Sequence, residues 1–341
     1  MKNHIFAAVA VAAALFTACN KDNEPVIPTP VDADGSTVCI TLADAADTRA
    51  FFDPTATAEA WEKTLSSLAV FAFDNSGQLL VRRDFTASEL TAKSATFSLP
   101  KSAAGTSCSF YAVANCDVSA AKTKAALTAL VESAAASYNG TFAEVSSKAM
   151  RSGGFVMSGM KTQTVGAVNS TTNVGITLKR TVAKVALQTS VDASFAQKYC
   201  GTLTINSVKL SKAALQSLVV TGAAPSTGAM TYTHNQTPAT ASGKYNSLFY
   251  IYENGPLTAG NRVLLEINAT YDMDGNAATT NDRSEVTYSI ELAGKAAGEI
   301  LRNGYYRIAA NITGLVGQEC AVSISVADWE IPITQSISLG A

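Results

Sequence analysis

Short runs of alternating or continuous apolar residues, separated by turn residues, recur along most of the chain. Residues 38–42 (VCITL) place Val38, Ile40 and Leu42 on one face of a predicted strand. Residues 65–73 (LSSLAVFAF) have the pattern of a buried strand, and the DNSG turn that follows predicts a hairpin. Further strands are predicted at 78–83, 95–99, 107–114, 174–190, 202–211, 248–253, 262–272, 284–292, 305–312 and 321–326.

One segment departs from this pattern. Residues 120–136 (AAKTKAALTALVESAAA) are rich in Ala and Leu, with apolar residues three and four apart, which predicts a helix. Because short strands predominate elsewhere, the sequence predicts an all-β fold with one short helix region, built as two tandem transthyretin-like (Greek-key) β-sandwich domains. Gly153-Gly154 and the polar run 166–173 place the domain junction near residue 175, which gives domains at 50–175 and 176–341.

The start of the chain has the layout of a lipoprotein signal peptide. Lys2 precedes an apolar run at 5–16 that is too short to span a bilayer, and Thr17-Ala18-Cys19 follows. We therefore expect residues 1–18 to be removed during export and Cys19 to carry the lipid, as palmitate, that holds the protein at the outer membrane. Residues 19–36 are a predicted extended tether. The alternative is an ordinary signal peptide with an incidental cysteine.

Composition and motifs narrow the classes of function. Charged residues are 15% of the chain and the net charge is −2, so no basic surface for nucleic acid is predicted. Besides Cys19 an odd number of cysteines remains, none in a CxxC pair, so no closed disulfide framework is predicted. Only His4 and His234 are present, and GxSxG, HExxH and P-loop patterns are absent. We expect no catalytic site and no cofactor.

One string has metal-like spacing. Asp272-Met273-Asp274-Gly275-Asn276 is followed by Asn281 and Asp282, and carboxylates at alternate positions are typical of calcium loops. However, the glycine stands at the fourth place rather than the sixth, and no Glu occupies the twelfth. The favoured interpretation is a polar hairpin between strands at 264–271 and 284–290, so no metal site is predicted from the sequence.

A set of strings resembles the fimbrillin family, the type V pilins (major fimbrial subunits) of Bacteroidetes. Their order and spacing span residues 37–341, although each string alone is weak. The strings are SLAVFAFD at 67–74 with Gly77, YAVAN at 111–115, KRTVAKV at 179–185, FYIYEN at 249–254, ILRNGYY at 300–306, ITG at 312–314 and VADWE at 326–330.

The resemblance implies a subunit that is exported as a lipoprotein and activated by a surface protease, which cuts after an arginine and so releases the first strand. A C-terminal strand of the neighbouring subunit then fills the groove by β-strand addition. Here residues 37–49 are the candidate removable segment, with Val38, Ile40 and Leu42 facing the core, and the candidate cut lies between Arg49 and Ala50.

The candidate donor strand lies within residues 329–341, where Ile331, Ile333, Ile337 and Leu339 share one face. Ile333, Ile337 and Leu339 are predicted to occupy the positions left by Val38, Ile40 and Leu42. Pro332 removes one ladder donor. Without processing and strand exchange, Arg49 is an ordinary surface arginine, and the C-terminal strand pairs as an edge strand within its own subunit.

The implied function is that of a structural subunit of a cell-surface fimbria, with other copies of itself and related fimbrial subunits as partners. A stalk subunit fits better than an anchor or tip, because both a cut site and a donor strand are present. The competing class is a monomeric surface lipoprotein that acts as an adhesin or glycan-binding module. Tyr245, Tyr250 and Tyr252 could serve such a module, although aromatic residues on strands are more often half-buried sheet residues.

Overall fold

The computed structural model describes residues 35–42, 58, 60–133, 153–220, 229–235, 244–316, 327–328 and 335–339. Within these ranges strands predominate and helices are short, so the predicted all-β class is confirmed. No helix in the described part of the chain is long and apolar enough to cross a membrane.

The N-terminal half is formed by two facing sheets. One has the strand order β4-β1-β8 and the other β3-β2-β5-β7-β9. The strands are β1 (Ser36–Leu42), β2 (Leu68–Phe73), β3 (Leu79–Asp84), β4 (Ser94–Leu99), β5 (Ser107–Ala114), β6 (Val131–Glu132), β7 (Met157–Thr164), β8 (Thr171–Ile176) and β9 (Lys179–Arg180), with helices α1 (Ala87–Ala92) and α2 (Lys124–Thr128) and short 3-10 helices at Ala60–Lys63 and Lys101–Ala103.

The C-terminal half repeats the arrangement. A sheet of order β14-β10-β17, to which β18 and β19 add, faces a sheet of order β13-β11-β15-β16. The elements are β10 (Val182–Val191), α3 (Phe195–Lys198), β11 (Thr202–Ala214), β12 (Ser217–Leu218), β13 (Ala229–Asn235), β14 (Lys244–Tyr252), β15 (Leu264–Asp272), β16 (Arg283–Glu291), β17 (Gly304–Ile312), β18 (Ala327–Asp328) and β19 (Gln335–Leu339).

Strand β2 is buried on both faces, which explains its unbroken apolar sequence LAVFAF. Leu68, Val70 and Ala72 point into the core that also contains β1. The opposite face packs in a second cluster that includes Val219 and Val220, which follow β12 in the C-terminal half. This half of the molecule therefore has two apolar layers, and the C-terminal half completes one of them.

The hairpin predicted after β2 is present. Asp74 Oδ1 accepts hydrogen bonds from the backbone amides of Ser76 and Gln78, both at 2.9 Å. Gly77 has φ +82°, which a side chain would disfavour. These bonds to the charged carboxylate, with that of the Ser76 hydroxyl as the largest effect, lower the pKa of Asp74.

The helix predicted over 120–136 is confirmed only at Lys124–Thr128. Val131–Glu132 is a strand instead, and it pairs with Ser217–Leu218 of the other half. Glu132 is 6% exposed, and the amide of Val219 donates to the carbonyl of Leu130 at 2.8 Å. Long-range pairing has therefore overridden the helix propensity of the Ala-rich segment.

Three further differences concern strands. β7 and β13 were not predicted, and β8 begins at Thr171, inside the polar run that was interpreted as a junction. The run is polar because alternate residues of β8 face solvent, as its burial pattern shows. The strand predicted at 321–326 lies outside the described residues, and the boundary near residue 175 stays a prediction.

Candidate strand-exchange site

Strand β1 has one apolar face that is fully enclosed. Val38 and Ile40 are 0% exposed and Leu42 is 9% exposed. Thr37, Cys39 and Thr41 point to the opposite face and are partly or fully exposed. This alternation follows from the two-residue period of a strand and confirms that the three predicted residues share a buried face.

β1 is the middle strand of its sheet, bonded on both edges. It runs antiparallel to β4, with Ile40 opposite Ala95, and parallel to β8, with Ile40 opposite Val174. The ladders continue at both ends, where the amide of Thr37 donates to Ser170 O and that of Leu42 to Lys93 O, each at 2.9 Å. β4 and β8 contact each other only through β1 in this strand order. Withdrawal of β1 would therefore expose two strand edges separated by the width of one strand, about 10 Å.

The bottom of that groove is apolar. The core under β1 includes buried residues of β2 and β5, so removal of β1 would expose them to water. They include Val70, Ala72, Phe110 and Ala112, while Val174 and Ile176 of β8 line the side of the groove. A groove with two free edges and an apolar floor has the features that bind an extended strand with apolar residues at alternate positions.

Ser36 adds one polar position to the buried face of β1. It is 0% exposed, and its hydroxyl donates to the carbonyl oxygens of Gly166 and Ala167, each at 3.1 Å. Along the buried face the order is thus one polar residue followed by three apolar residues. Ser36 was not among the residues predicted for this face, although its even spacing from Val38 places it there.

The candidate donor strand is partly described. β19 lies parallel to β17 in this chain's own C-terminal sheet, with Ile337 opposite Ala310 and Leu339 opposite Ile312. β18 pairs with the other end of β17. In this state the segment is an edge strand of its own subunit, the arrangement kept as an alternative from the sequence. Ile331 and Ile333 lie outside the described residues, as do Cys19, Arg49 and Ala50.

A cluster that sequence reasoning missed holds the chain just beyond the candidate cut. Trp61 and Glu62 lie in the 3-10 helix at Ala60–Lys63 and, with Arg180, Lys184 and Tyr250, form what we name the junction cluster. Glu62 Oε1 lies 2.8 Å from Lys184 Nζ and accepts from the Tyr250 hydroxyl at 2.6 Å. The Glu62 carbonyl accepts from Arg180 Nε at 2.8 Å.

The charged residues of the junction cluster are buried. Glu62 is 0% exposed, Arg180 4% and Lys184 3%. Burial lowers the pKa of the Arg180 guanidinium, and the Glu62 carboxylate opposes that shift. Trp61 packs edge-on against Tyr250, with ring centroids 5.8 Å apart. The sequence signal was the presence of cations inside the apolar run LKRTVAKVAL, since buried charges are rarely unpaired.

The tyrosines considered for a binding platform are buried. Tyr250 and Tyr252 are 0% exposed and Tyr245 is 9% exposed. They are therefore core residues, as strand aromatics usually are. A cleft of about 490 Å³ lies elsewhere, and its lining includes Arg82, Asp84 and Asp117.

Comparison with known families supports one of the classes of protein considered above. Residues 36–188 match the family model described as "Major fimbrial subunit protein (FimA)". This part of the chain is therefore similar to the FimA major fimbrial subunit family. The fimbrillin resemblance predicted from the sequence is therefore confirmed, and the matched family is one of structural subunits rather than of enzymes.

Solved structures share the fold of this chain. A fimbrilin (FimA) from Porphyromonas gingivalis is 17% identical, with a TM-score of 0.58 over 90% of this chain and 96% of that one. A candidate cell adhesion protein from Bacteroides eggerthii is 18% identical, with a TM-score of 0.57 over 90% and 94%. The tip fimbrial protein Mfa3 from Porphyromonas gingivalis is 15% identical, with a TM-score of 0.53 over 86% and 100%. Comparison with curated protein sequences gives no significant match. The identities of 15 to 18% to the solved structures show a shared fold alone.

Proposed function

We propose that this chain is a structural subunit of a cell-surface fimbria, and that it polymerises when β1 is cut away and replaced by a C-terminal strand of another subunit. The observation that carries the proposal is the position of β1, a middle strand bonded on both edges and fully buried on one face. The family match supports the fimbrial role. Lipid attachment at Cys19 and cleavage after Arg49 are part of the proposal, and they supply membrane delivery and activation.

The apolar burial lost with β1 is comparable to the burial that a donor strand would restore. Withdrawal of Val38, Ile40 and Leu42 costs roughly 5 to 9 kcal/mol of apolar burial at about 1.5 to 3 kcal/mol per side chain. An incoming strand with apolar residues at alternate positions regains most of that burial and both ladders. β1 is covalently attached before the cut, so it occupies the groove at high effective concentration, and the cut removes that advantage.

A specific register follows from the polar position on β1. If the donor runs in the direction of β1, Gln335 falls at the place of Ser36, while Ile337 and Leu339 take those of Val38 and Ile40. This register replaces the pairing predicted from the sequence, in which Ile337 and Leu339 took the places of Ile40 and Leu42, and it puts Ala341 at the place of Leu42. The Gln335 amide can then donate to the two carbonyl oxygens that bind the Ser36 hydroxyl. This register accounts for the glutamine that interrupts the apolar stripe.

The test uses purified residues 20–341 before and after limited trypsin, analysed by mass spectrometry and by gels without boiling. We expect a cut after Arg49, followed by SDS-resistant ladders that disappear when residues 331–341 are deleted. Arg49→Ala should block both steps, whereas Lys101→Ala, a change at an exposed basic residue in a 3-10 helix, should block neither. A cut protein that stays monomeric with or without its tail would reject strand exchange and favour the monomeric adhesin.

A peptide experiment tests the register. A synthetic peptide of residues 329–341 should bind the cut, tail-deleted protein and slow its polymerisation with intact cut subunits. The same peptide with Ile337→Asp should not bind, because it places a charge in the Val38 pocket. The Gln335→Ala peptide should bind more weakly than the parent. Equal binding by the Gln335→Ala peptide would reject the proposed register without rejecting exchange itself.

A further inference from the structure

The loop between β15 and β16 brings three carboxylates together at one end of the C-terminal half. Asp272 is the last residue of β15, Asp274 lies in the loop, and Asp282 immediately precedes β16. One oxygen of each lies within 4.8 Å of an oxygen of the other two. The sequence interpretation of a polar hairpin is correct for the backbone, but it did not anticipate that Asp282 folds back onto the first two.

Two carboxylate oxygens in this group are buried with nothing to bind. Asp272 is 8% exposed, and its Oδ2 accepts from Arg283 Nε at 3.0 Å. Asp282 Oδ2 accepts from the amide of Asp274 at 3.0 Å. The remaining Oδ1 atoms of Asp272 and Asp282 have no hydrogen-bond partner among the described residues. Buried charged oxygens are normally satisfied, so these two call for a positively charged ligand.

Asp274 is the exposed member of the group of three carboxylates. Its oxygens accept from the amide of Asn276 at 2.7 Å and from the Thr279 hydroxyl at 2.8 Å, which fixes the carboxylate in place. A carboxylate oxygen has a second lone pair and can still bind a cation. The three carboxylates carry three negative charges, and Arg283 compensates one of them.

The loop is held against a close-packed base. Gly201 has φ +98°, and a Cβ there would lie 2.0 Å from the carbonyl oxygen of Asp272. The Tyr271 hydroxyl donates to the carbonyl of Cys200. The strand end that bears Asp272 is therefore fixed by contacts that involve none of the three carboxylates.

The chemistry of the group selects calcium. Ca²⁺ takes oxygen ligands at about 2.3 to 2.6 Å, so two ligands of one ion lie at most about 5 Å apart, as these do. No His or Cys occurs at 272–283, which disfavours softer metals. Water and loop carbonyl oxygens can complete the shell.

We propose that Asp272, Asp274 and Asp282 bind one Ca²⁺ and that the ion stabilises the β15–β16 end of the C-terminal sheet. The spacing differs from that of an EF-hand, with the third carboxylate supplied from the far side of the hairpin. This inference is independent of strand exchange, because β1 lies in the other half of the molecule. The expected dissociation constant is about 10⁻⁴ to 10⁻³ M, the range of extracellular calcium modules.

The test measures thermal unfolding of uncut, EDTA-treated protein (residues 20–341) in CaCl₂ or MgCl₂ up to about 10 mM. We expect CaCl₂ to raise the Tm by several degrees, EDTA to reverse the shift, and MgCl₂ to give a much smaller one. In Asp274→Asn the calcium shift should be lost while the Tm in EDTA is unchanged or higher, which shows that the variant is folded. Glu285→Gln, a change at an exposed acidic residue on β16, is the matched control and should keep the shift.

Terbium luminescence sensitised by Tyr271 gives a second readout, which should be displaced by CaCl₂ and absent from Asp274→Asn. The proposal is overturned if CaCl₂ shifts neither signal, if MgCl₂ acts as strongly as CaCl₂, or if Asp274→Asn responds like Glu285→Gln.

Discussion

Removal of the Glu62 charge should destabilise the protein more than any exposed charge change. Glu62→Gln keeps the shape of the side chain and the acceptor for Tyr250, but it leaves the Lys184 ammonium buried without its counter-ion at 2.8 Å. The side chains of Glu62 and Lys184 are 0% and 4% exposed. Loss of one partner from a buried ion pair costs about 3 to 5 kcal/mol. For a unit of this size that corresponds to a drop in Tm of roughly 6 to 20 °C.

A double variant separates lost charge balance from lost packing. Glu62→Gln with Lys184→Met removes one negative and one positive charge, so the local net charge returns to that of the parent. We expect the double variant to regain most of the stability, since replacing a whole buried pair is often neutral or better. The matched surface control is Glu266→Gln, which breaks an ion pair with Lys209 of 3.0 Å between partly exposed side chains. It should cost at most about 1 kcal/mol.

The assay is urea unfolding of residues 20–341 followed by circular dichroism and by tryptophan fluorescence, which also reports on the surroundings of Trp61. Hydrogen exchange at residues 60–63 should accelerate in Glu62→Gln, because the junction cluster holds this segment. The reasoning is refuted if Glu62→Gln costs no more than Glu266→Gln, or if Lys184→Met fails to rescue it.

Three other changes test separate contacts. Asn115→Ala should cost about 2 to 4 kcal/mol in urea unfolding, because a residue at φ +58° loses an amide that bonds four backbone groups. Arg302→Met should cost about 2 to 3 kcal/mol and speed hydrogen exchange just after β12, because the Arg302 guanidinium donates to the carbonyl oxygens of residues 218–220. Asp192 has a pKa lowered from 3.8 to about 2, chiefly by the Ser194 hydroxyl and then by the Asn311 amide. Because the folded state favours the ionised form, Asp192 contributes fully to stability above pH 3.8 and loses that contribution as the pH falls through about 2. Asp192→Asn should therefore flatten the acid side of the stability curve between about pH 4 and 2.

The sequence predicts the strands well where one face is apolar. In β1 the alternation of Val38, Ile40 and Leu42 determined both the strand and its buried face, because period and environment agree. The neighbours of β1 could not be predicted, since β8 lies more than 120 residues away and pairs with it in parallel. For β19 the alternation was visible, yet the same pattern suits an edge of its own sheet and a neighbour's groove equally well.

The partners of charged residues inside apolar runs could not be predicted from the sequence. Lys184 stands in a strand that otherwise predicts a core, and its partner Glu62 is more than 120 positions away in a short 3-10 helix. The Asp282 carboxylate likewise meets Asp272 only because the hairpin folds back. Sequence periodicity reports which face of one element is buried, and it carries no signal for which distant polar group satisfies a buried charge.

The packing is compatible with the proposed removal of β1. The sheet beneath it has apolar clusters on both faces, and only one of them includes β1. The other cluster is sealed by Val219 and Val220, and Arg302 binds the carbonyls of the same segment. The chain beyond the candidate cut is held separately by the junction cluster. Loss of β1 would therefore expose one apolar face, while the second core and the contacts between the two halves persist. The rest of the N-terminal half would then stay folded around the open groove, as strand exchange requires.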